Sequence, residues 1–161
     1  DMIFVSGRGS PFIAQDPTTG EELWIHENLH LSARGNNYWQ SDDGKEKRLL
    51  LTTGPYLQAI DAKTGKSIMT FGSNGYVDLR DGMLRGENGI RVPNPGKVWK
   101  NLLILGNAPG EGWMSPPGDI RAFDVITAIA ALEMALRQFG AEIPFGKGVA
   151  AAEELLMDAA T

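Results

Sequence analysis

The 161-residue chain has 15 lysines and arginines against 20 aspartates and glutamates, a net charge of −5, and no cysteine. This acidic balance argues against a nucleic-acid partner, which requires a basic face. The missing cysteines exclude disulfides, thiolate nucleophiles and cysteine-ligated zinc, and the 2 histidines are too few for a three-histidine metal site.

Short apolar runs predict strands in the first 124 residues. The runs cover residues 2–5, 49–52, 57–60 and 102–105. Clusters of Gly, Pro, Asn and Asp separate them, and no helical periodicity lies between them. We therefore expect antiparallel sheets rather than alternating strands and helices. The charged run at 41–48 (SDDGKEKR) is predicted to be a solvated hairpin tip.

One turn motif occurs three times along the chain. Its copies are 16–20 (DPTTG), 61–65 (DAKTG) and 124–128 (DVITA). The aspartate carboxylate can accept N–H groups of the turn, and a glycine in the fifth position supplies positive φ. The first two copies are therefore expected to reverse the chain directly into a new strand, with Trp24 after the first copy packing on a neighbouring sheet. The third copy is expected to break at Ala128, which stands where glycine should be. A spacing of about 45 residues is typical of propeller blades.

With this repeat, residues 1–124 resemble the pyrroloquinoline-quinone (PQQ)-dependent dehydrogenases, the quinoprotein alcohol and glucose dehydrogenase family. The resemblance also covers 33–39 (ARGNNYW), 57–79 and 101–124, in the family's order. It implies an eight-bladed β-propeller, of which 124 residues supply at most three blades. The expected fold is therefore mainly β, an incomplete propeller of two to three blades.

The resemblance also implies candidate binding residues. Arg34 matches an arginine that pairs with a carboxylate of the quinone, although a loop arginine could equally pair with a nearby acid. Glu111 matches a Ca²⁺ ligand, and Pro109 and Gly110 match backbone that lines the cofactor. Without the resemblance, Glu111 reads as a solvated carboxylate in a glycine-rich connection. The family's catalytic base lies in later blades, so no catalytic residue is assigned.

The tail differs in composition from the rest of the chain. An apolar stripe at helical spacing and a second short helix near 149–160 predict a helical hairpin; the stripe is Val125, Ile129, Leu132, Leu136 and Phe139. Residues 124–156 resemble the C-terminal end of class V pyridoxal-phosphate aminotransferases of the alanine/serine–glyoxylate type. We therefore expect two domains, 1–124 and 125–161, joined in a chimeric or mis-assembled reading frame or by an artificial fusion.

These features predict a fragment of a PQQ-dependent dehydrogenase that oxidises an alcohol or sugar hydroxyl and is incomplete as an isolated chain. The alternative is a non-catalytic propeller-type binding or scaffold module without quinone, which would have no reason to keep both Arg34 and Glu111. The resemblance implies PQQ and Ca²⁺ as cofactors, a respiratory electron acceptor and a periplasmic location. No signal peptide or transmembrane segment is predicted, and open sheet edges favour self-association.

Overall fold

The computed structural model describes residues 1–7, 11–27, 29, 31, 34–81, 90, 92–108 and 120–128. The strands are β1 (Ile3–Ser6), β2 (Phe12–Gln15), β3 (Glu22–His26), β4 (Asn37–Gln40), β5 (Lys47–Thr53), β6 (Tyr56–Asp61), β7 (Tyr76–Asp78), β8 (Lys97–Trp99), β9 (Leu102–Gly106) and β10 (Ile120–Asp124). Within these ranges, no helix is long and apolar enough to cross a membrane.

The strands form three antiparallel sheets from successive stretches of chain. Sheet A has the order β1-β2-β3, sheet B the order β4-β5-β6-β7 and sheet C the order β10-β9-β8. The predicted runs fall in β1, β5, β6 and β9, so the antiparallel mainly-β prediction is confirmed. The predicted helical hairpin lies outside the described residues beyond Ala128 and stays a prediction.

The three copies of the turn motif share one geometry. In each, a carboxylate oxygen of Asp16, Asp61 or Asp124 accepts the backbone N–H groups two and three residues on, at 2.7–3.1 Å. These hydrogen bonds hold the pKa of Asp16 below its usual value. The expectation that the third copy breaks at Ala128 is wrong, because Ala128 adopts φ +69°, the same as Gly65, and keeps the turn without glycine.

The expectation that a strand follows directly after the second copy is wrong. Ser67 forms only an isolated bridge with Ile60, and the next strand begins at Tyr76. Between them, Gly72, Asn74 and Gly75 all adopt positive φ, which is incompatible with extended pairing. The chain therefore leaves the edge of β6 after Ser67, loops out over residues 69–75 and resumes antiparallel pairing with β6 as β7.

Sheet A packs on one face of sheet B. Phe12 from sheet A and Leu49, Leu51 and Ile60 from sheet B are buried together. Trp24 is partly buried against this cluster, and its indole Nε1 donates to the carbonyl of Ala62 at 3.1 Å. The indole thus rests on the second turn, which confirms that Trp24 packs on a neighbouring sheet.

Sheet C packs on the opposite face of sheet B. Leu50 from sheet B is buried with Leu103, Leu105, Phe123 and Val125. Since successive residues of a strand point to opposite faces, the apolar run in β5 supplies both interfaces. Sheet B is therefore the middle layer, covered on each side.

Arg48 is buried between sheets B and C, so the prediction of a wholly solvated run at 41–48 is wrong at this residue. Its side chain is 7% exposed, and its Nη1 donates to the carbonyls of Val125 at 3.2 Å and Ile126 at 3.0 Å. The guanidinium also lies 5.7 Å from the ring centroid of Trp39 and pairs with Glu46. Glu46 is local in sequence, but Trp39 lies on the neighbouring strand and the two carbonyls lie in the third turn, where local sequence gives no sign of them.

The contact between Trp24 and the second turn predicts unequal effects of two Gly→Ala substitutions. Gly20 and Gly65 both have positive φ, +74° and +69°, but a Cβ at Gly65 would lie 2.5 Å from Trp24 Cε3, whereas one at Gly20 meets nothing within 4 Å. Gly20→Ala should lower the free energy of unfolding by about 1 kcal/mol through backbone strain. Gly65→Ala should cost a further ~1–3 kcal/mol through overpacking. Urea denaturation measures both, and equal losses would contradict the proposed packing.

The burial of Arg48 predicts a second measurable difference. Arg48→Met keeps the apolar stem but removes the donors to two carbonyls, and should lower the free energy of unfolding by about 2 kcal/mol. The control is Lys45→Met, because Lys45 forms an ion pair with Asp43 while its side chain is 83% exposed. That change should stay within about 0.5 kcal/mol. Similar urea midpoints for both variants would show that the Arg48 contacts do not stabilise the fold.

Candidate functional site

One end of sheets B and C brings together the segments that carry the candidate residues. Asn37, at the start of β4, donates from Nδ2 to the carbonyl of Pro95, just before β8, at 2.6 Å. Trp39 donates from Nε1 to Oδ1 of Asn101, just after β8, at 3.1 Å. The two strands therefore run in the same direction with their starting ends together.

The end of β9 lies at this same place. Strand β9 pairs antiparallel with β8, Lys97 opposite Ile104, so β9 ends at Gly106 where β8 begins. We call this end, described at residues 34–37, 92–97 and 106–108, the rim. The connection after β9, which holds the predicted cofactor loop, thus starts from the rim.

Arg34 lies at the rim, exposed to solvent, three residues before β4. Its Nη1 donates to Oδ1 of Asn94 at 3.0 Å, so the guanidinium reaches from the segment before β4 to the segment before β8. The partner in this contact is the neutral amide of Asn94. An exposed guanidinium at the meeting point of two sheets can receive a carboxylate of a ligand.

Pro109, Gly110 and Glu111 lie outside the described residues. The described chain leads from the end of β9 through Asn107 and Ala108 toward them. The connection that holds them therefore begins at the rim, where Arg34 lies. The roles assigned to Pro109, Gly110 and Glu111 stay predictions.

Asparagines of the rim were missed by the sequence analysis. They are Asn36, Asn37, Asn94 and Asn107. The Oδ1 of Asn36 is buried and has no hydrogen-bond partner among the described residues, and a polar atom in this state is a feature of ligand sites. The sequence signal for these residues was the Asn-Asn pair before Tyr38 and Trp39. The hydrogen bonds from Arg34 to Asn94 and from Asn37 to Pro95 join two sheets, so the local sequence gives no sign of them.

The charge of the rim fits an anionic cofactor. At this end of sheets B and C the described residues include the cations Arg34, Lys97 and Arg121, together with the ion pair between Arg80 and Asp78. Guanidinium and amide N–H groups are donors that suit a ligand bearing carboxylates. For a metal ion, the described part of the chain holds no cluster of three His, Cys, Asp or Glu side chains.

A family comparison agrees with the sheet arrangement and the repeated turns. The sequence model of the glucose/ethanol/alcohol dehydrogenase PQQ β-propeller domain matches residues 1–130. The chain belongs to this PQQ propeller family. The match ends at residue 130, and therefore does not include the last 31 residues of the 161-residue chain.

Relatives of this PQQ propeller chain are quinoproteins and dehydrogenases. Quinoprotein glucose dehydrogenase A of Acinetobacter calcoaceticus is 28% identical over 153 residues, 78% of this chain and 19% of that protein. The glycerol dehydrogenase large subunit of Gluconobacter oxydans is 27% identical over 141 residues, 77% of this chain and 19% of that protein. The chain thus spans about a fifth of the length of these relatives.

A solved structure shows the same fold. The quinohemoprotein alcohol dehydrogenase of Comamonas testosteroni superposes with a TM-score of 0.59 at 22% identity, over 81% of this chain and 19% of that one. The three sheets therefore correspond to a portion of a larger PQQ propeller, as expected from the sequence. This likeness shows the fold, and it assigns no role to any residue.

Proposed function

We propose that this PQQ propeller chain forms part of the cofactor site of a dehydrogenase that oxidises an alcohol or sugar hydroxyl. The observation that carries the proposal is the position of Arg34. Its guanidinium is exposed at the rim, next to the start of the loop that holds Glu111, in a chain whose family binds PQQ. Membership of the family alone would be equally compatible with a scaffold module.

The role proposed for Arg34 is to bind one carboxylate of PQQ by charge-assisted hydrogen bonds. Glu111 is proposed to supply a carboxylate ligand for Ca²⁺, a hard cation that prefers oxygen donors, with Pro109 and Gly110 providing backbone beside the cofactor. The chemistry that PQQ supplies when bound is that of a quinone accepting hydride from the carbon of an alcohol. No described residue is assigned as the base that removes the hydroxyl proton.

Calorimetric titration of the purified chain with PQQ, with and without Ca²⁺, tests this proposal. Arg34→Ala should weaken PQQ binding at least about tenfold, because a charge-assisted hydrogen bond contributes roughly 1.5–3 kcal/mol. Glu111→Ala should abolish the part of the affinity that depends on Ca²⁺. Lys45→Ala is the charge-matched control, since Lys45 is an exposed cation paired with Asp43 in the hairpin at the opposite end of β4 and β5.

Three results would contradict the proposal. A chain with native circular dichroism that does not bind PQQ would favour the scaffold module. Binding that Arg34→Ala leaves unchanged would place the cofactor elsewhere. An equal loss in Lys45→Ala would show that only net charge matters.

We further infer that the tail is not part of the propeller. The family match ends at residue 130, close to the change in composition near residue 124, which supports an origin of the tail in a different protein. Its helical hairpin and its likeness to class V aminotransferases stay predictions. The periplasmic location and the respiratory electron acceptor likewise rest on the resemblance to quinoproteins.

Truncation after residue 130 tests the helical prediction. The shorter chain keeps Val125 and Ala128, which belong to the core, and should retain the urea midpoint of its sheets. The circular dichroism of the full chain minus that of the truncated chain should carry the double minimum of an α-helix. A difference spectrum without this double minimum would refute the helical hairpin.

A further inference from the structure

Asn94 contacts the guanidinium of Arg34 from a segment 60 residues further along the chain. Its Oδ1 accepts a hydrogen bond from Arg34 Nη1 at 3.0 Å, and both side chains are exposed. An exposed arginine has many accessible rotamers, and a ligand that binds it must order it. A partner that restrains the guanidinium beforehand reduces this ordering cost.

The backbone around Asn94 is well suited to restrain a side chain. Asn94 lies between Pro93 and Pro95, whose rings fix φ. Gly96 follows with φ +81° and passes so close to β9 that a Cβ there would collide with the carbonyl of Ile104. The Pro95 carbonyl also accepts the amide of Asn37. Asn94 is therefore presented from a constrained segment rather than from a flexible loop.

We propose that Asn94 is a positioning residue, which holds the Arg34 guanidinium in place to receive a carboxylate of the cofactor. The inference rests on the proposed function and assigns the amide a role separate from that of the arginine. Because the amide Oδ1 accepts from Arg34 without carrying a formal charge, this contact adds no negative charge beside the guanidinium. An aspartate in the same place would restrain Arg34 equally well but neutralise it.

The test compares Asn94→Ala with Asn94→Asp in the full 161-residue chain. The first readout needs no cofactor: ¹⁵N relaxation of the Arg34 Nε–H group reports how ordered the guanidinium is. Asn94→Ala should lower this order parameter, whereas Asn94→Asp should keep it. Gln40→Ala is the control, because Gln40 is an exposed amide that accepts from Tyr38 at the other end of β4 and should leave Arg34 unaffected.

The second readout is calorimetric titration with PQQ. Asn94→Ala and Asn94→Asp should each weaken binding about tenfold, the first through lost order and the second through lost charge. An unchanged order parameter in Asn94→Ala overturns the inference, and so does lost order with undiminished PQQ affinity. If order falls in Asn94→Ala but the unsubstituted chain does not bind PQQ, the link from Asn94 to Arg34 is supported and the proposed function fails.

Discussion

The turn that an aspartate carboxylate closes by accepting two backbone N–H groups is the feature on which the sheet packing depends. It leaves carbonyl groups of the turn facing the preceding sheet. Trp24 of sheet A donates to the carbonyl that follows Asp61, and Arg48 of sheet B donates to the carbonyl that follows Asp124. Two chemically different side chains thus use the same acceptor position. The repeat therefore sets the conformation of each turn and also the position at which the preceding sheet contacts that turn.

Much of this architecture could be predicted because its signals are local. A run of apolar residues and an Asp-to-Gly turn lie within a few residues of one another, so the strands β5, β6 and β9 were evident. The short strands β4 and β8 carry polar and aromatic residues and have no apolar run. Arg48 was misassigned for a related reason: its partners Val125 and Ile126 are 77 and 78 residues away.

The residues of the candidate site likewise divide into those that the sequence indicates and those that only the folded structure brings together. Arg34 could be identified from the family pattern, and the structure places it at the rim. Asn94 could not, because its contact with Arg34 exists only once sheets B and C have packed. Asn36 and Asn37 indicated no ligand site in the sequence, since a pair of asparagines is as common in an ordinary turn as in a binding site. Sequence reasoning therefore found the charge in the site and missed the amides around it.

The three sheets should also differ in their stability against local opening. Every sheet is built from one continuous stretch of chain, and among the described residues the buried clusters join sheet A to sheet B and sheet B to sheet C. This part of the chain therefore behaves as a linear array in which stability arises from nearest-neighbour interfaces. Sheet B has two such interfaces, whereas sheet A leaves one face with Ile3, Val5, Leu23 and Ile25 exposed. Opening should therefore begin at sheet A, and the amide hydrogens of β5 and β6 should be the slowest to exchange with solvent.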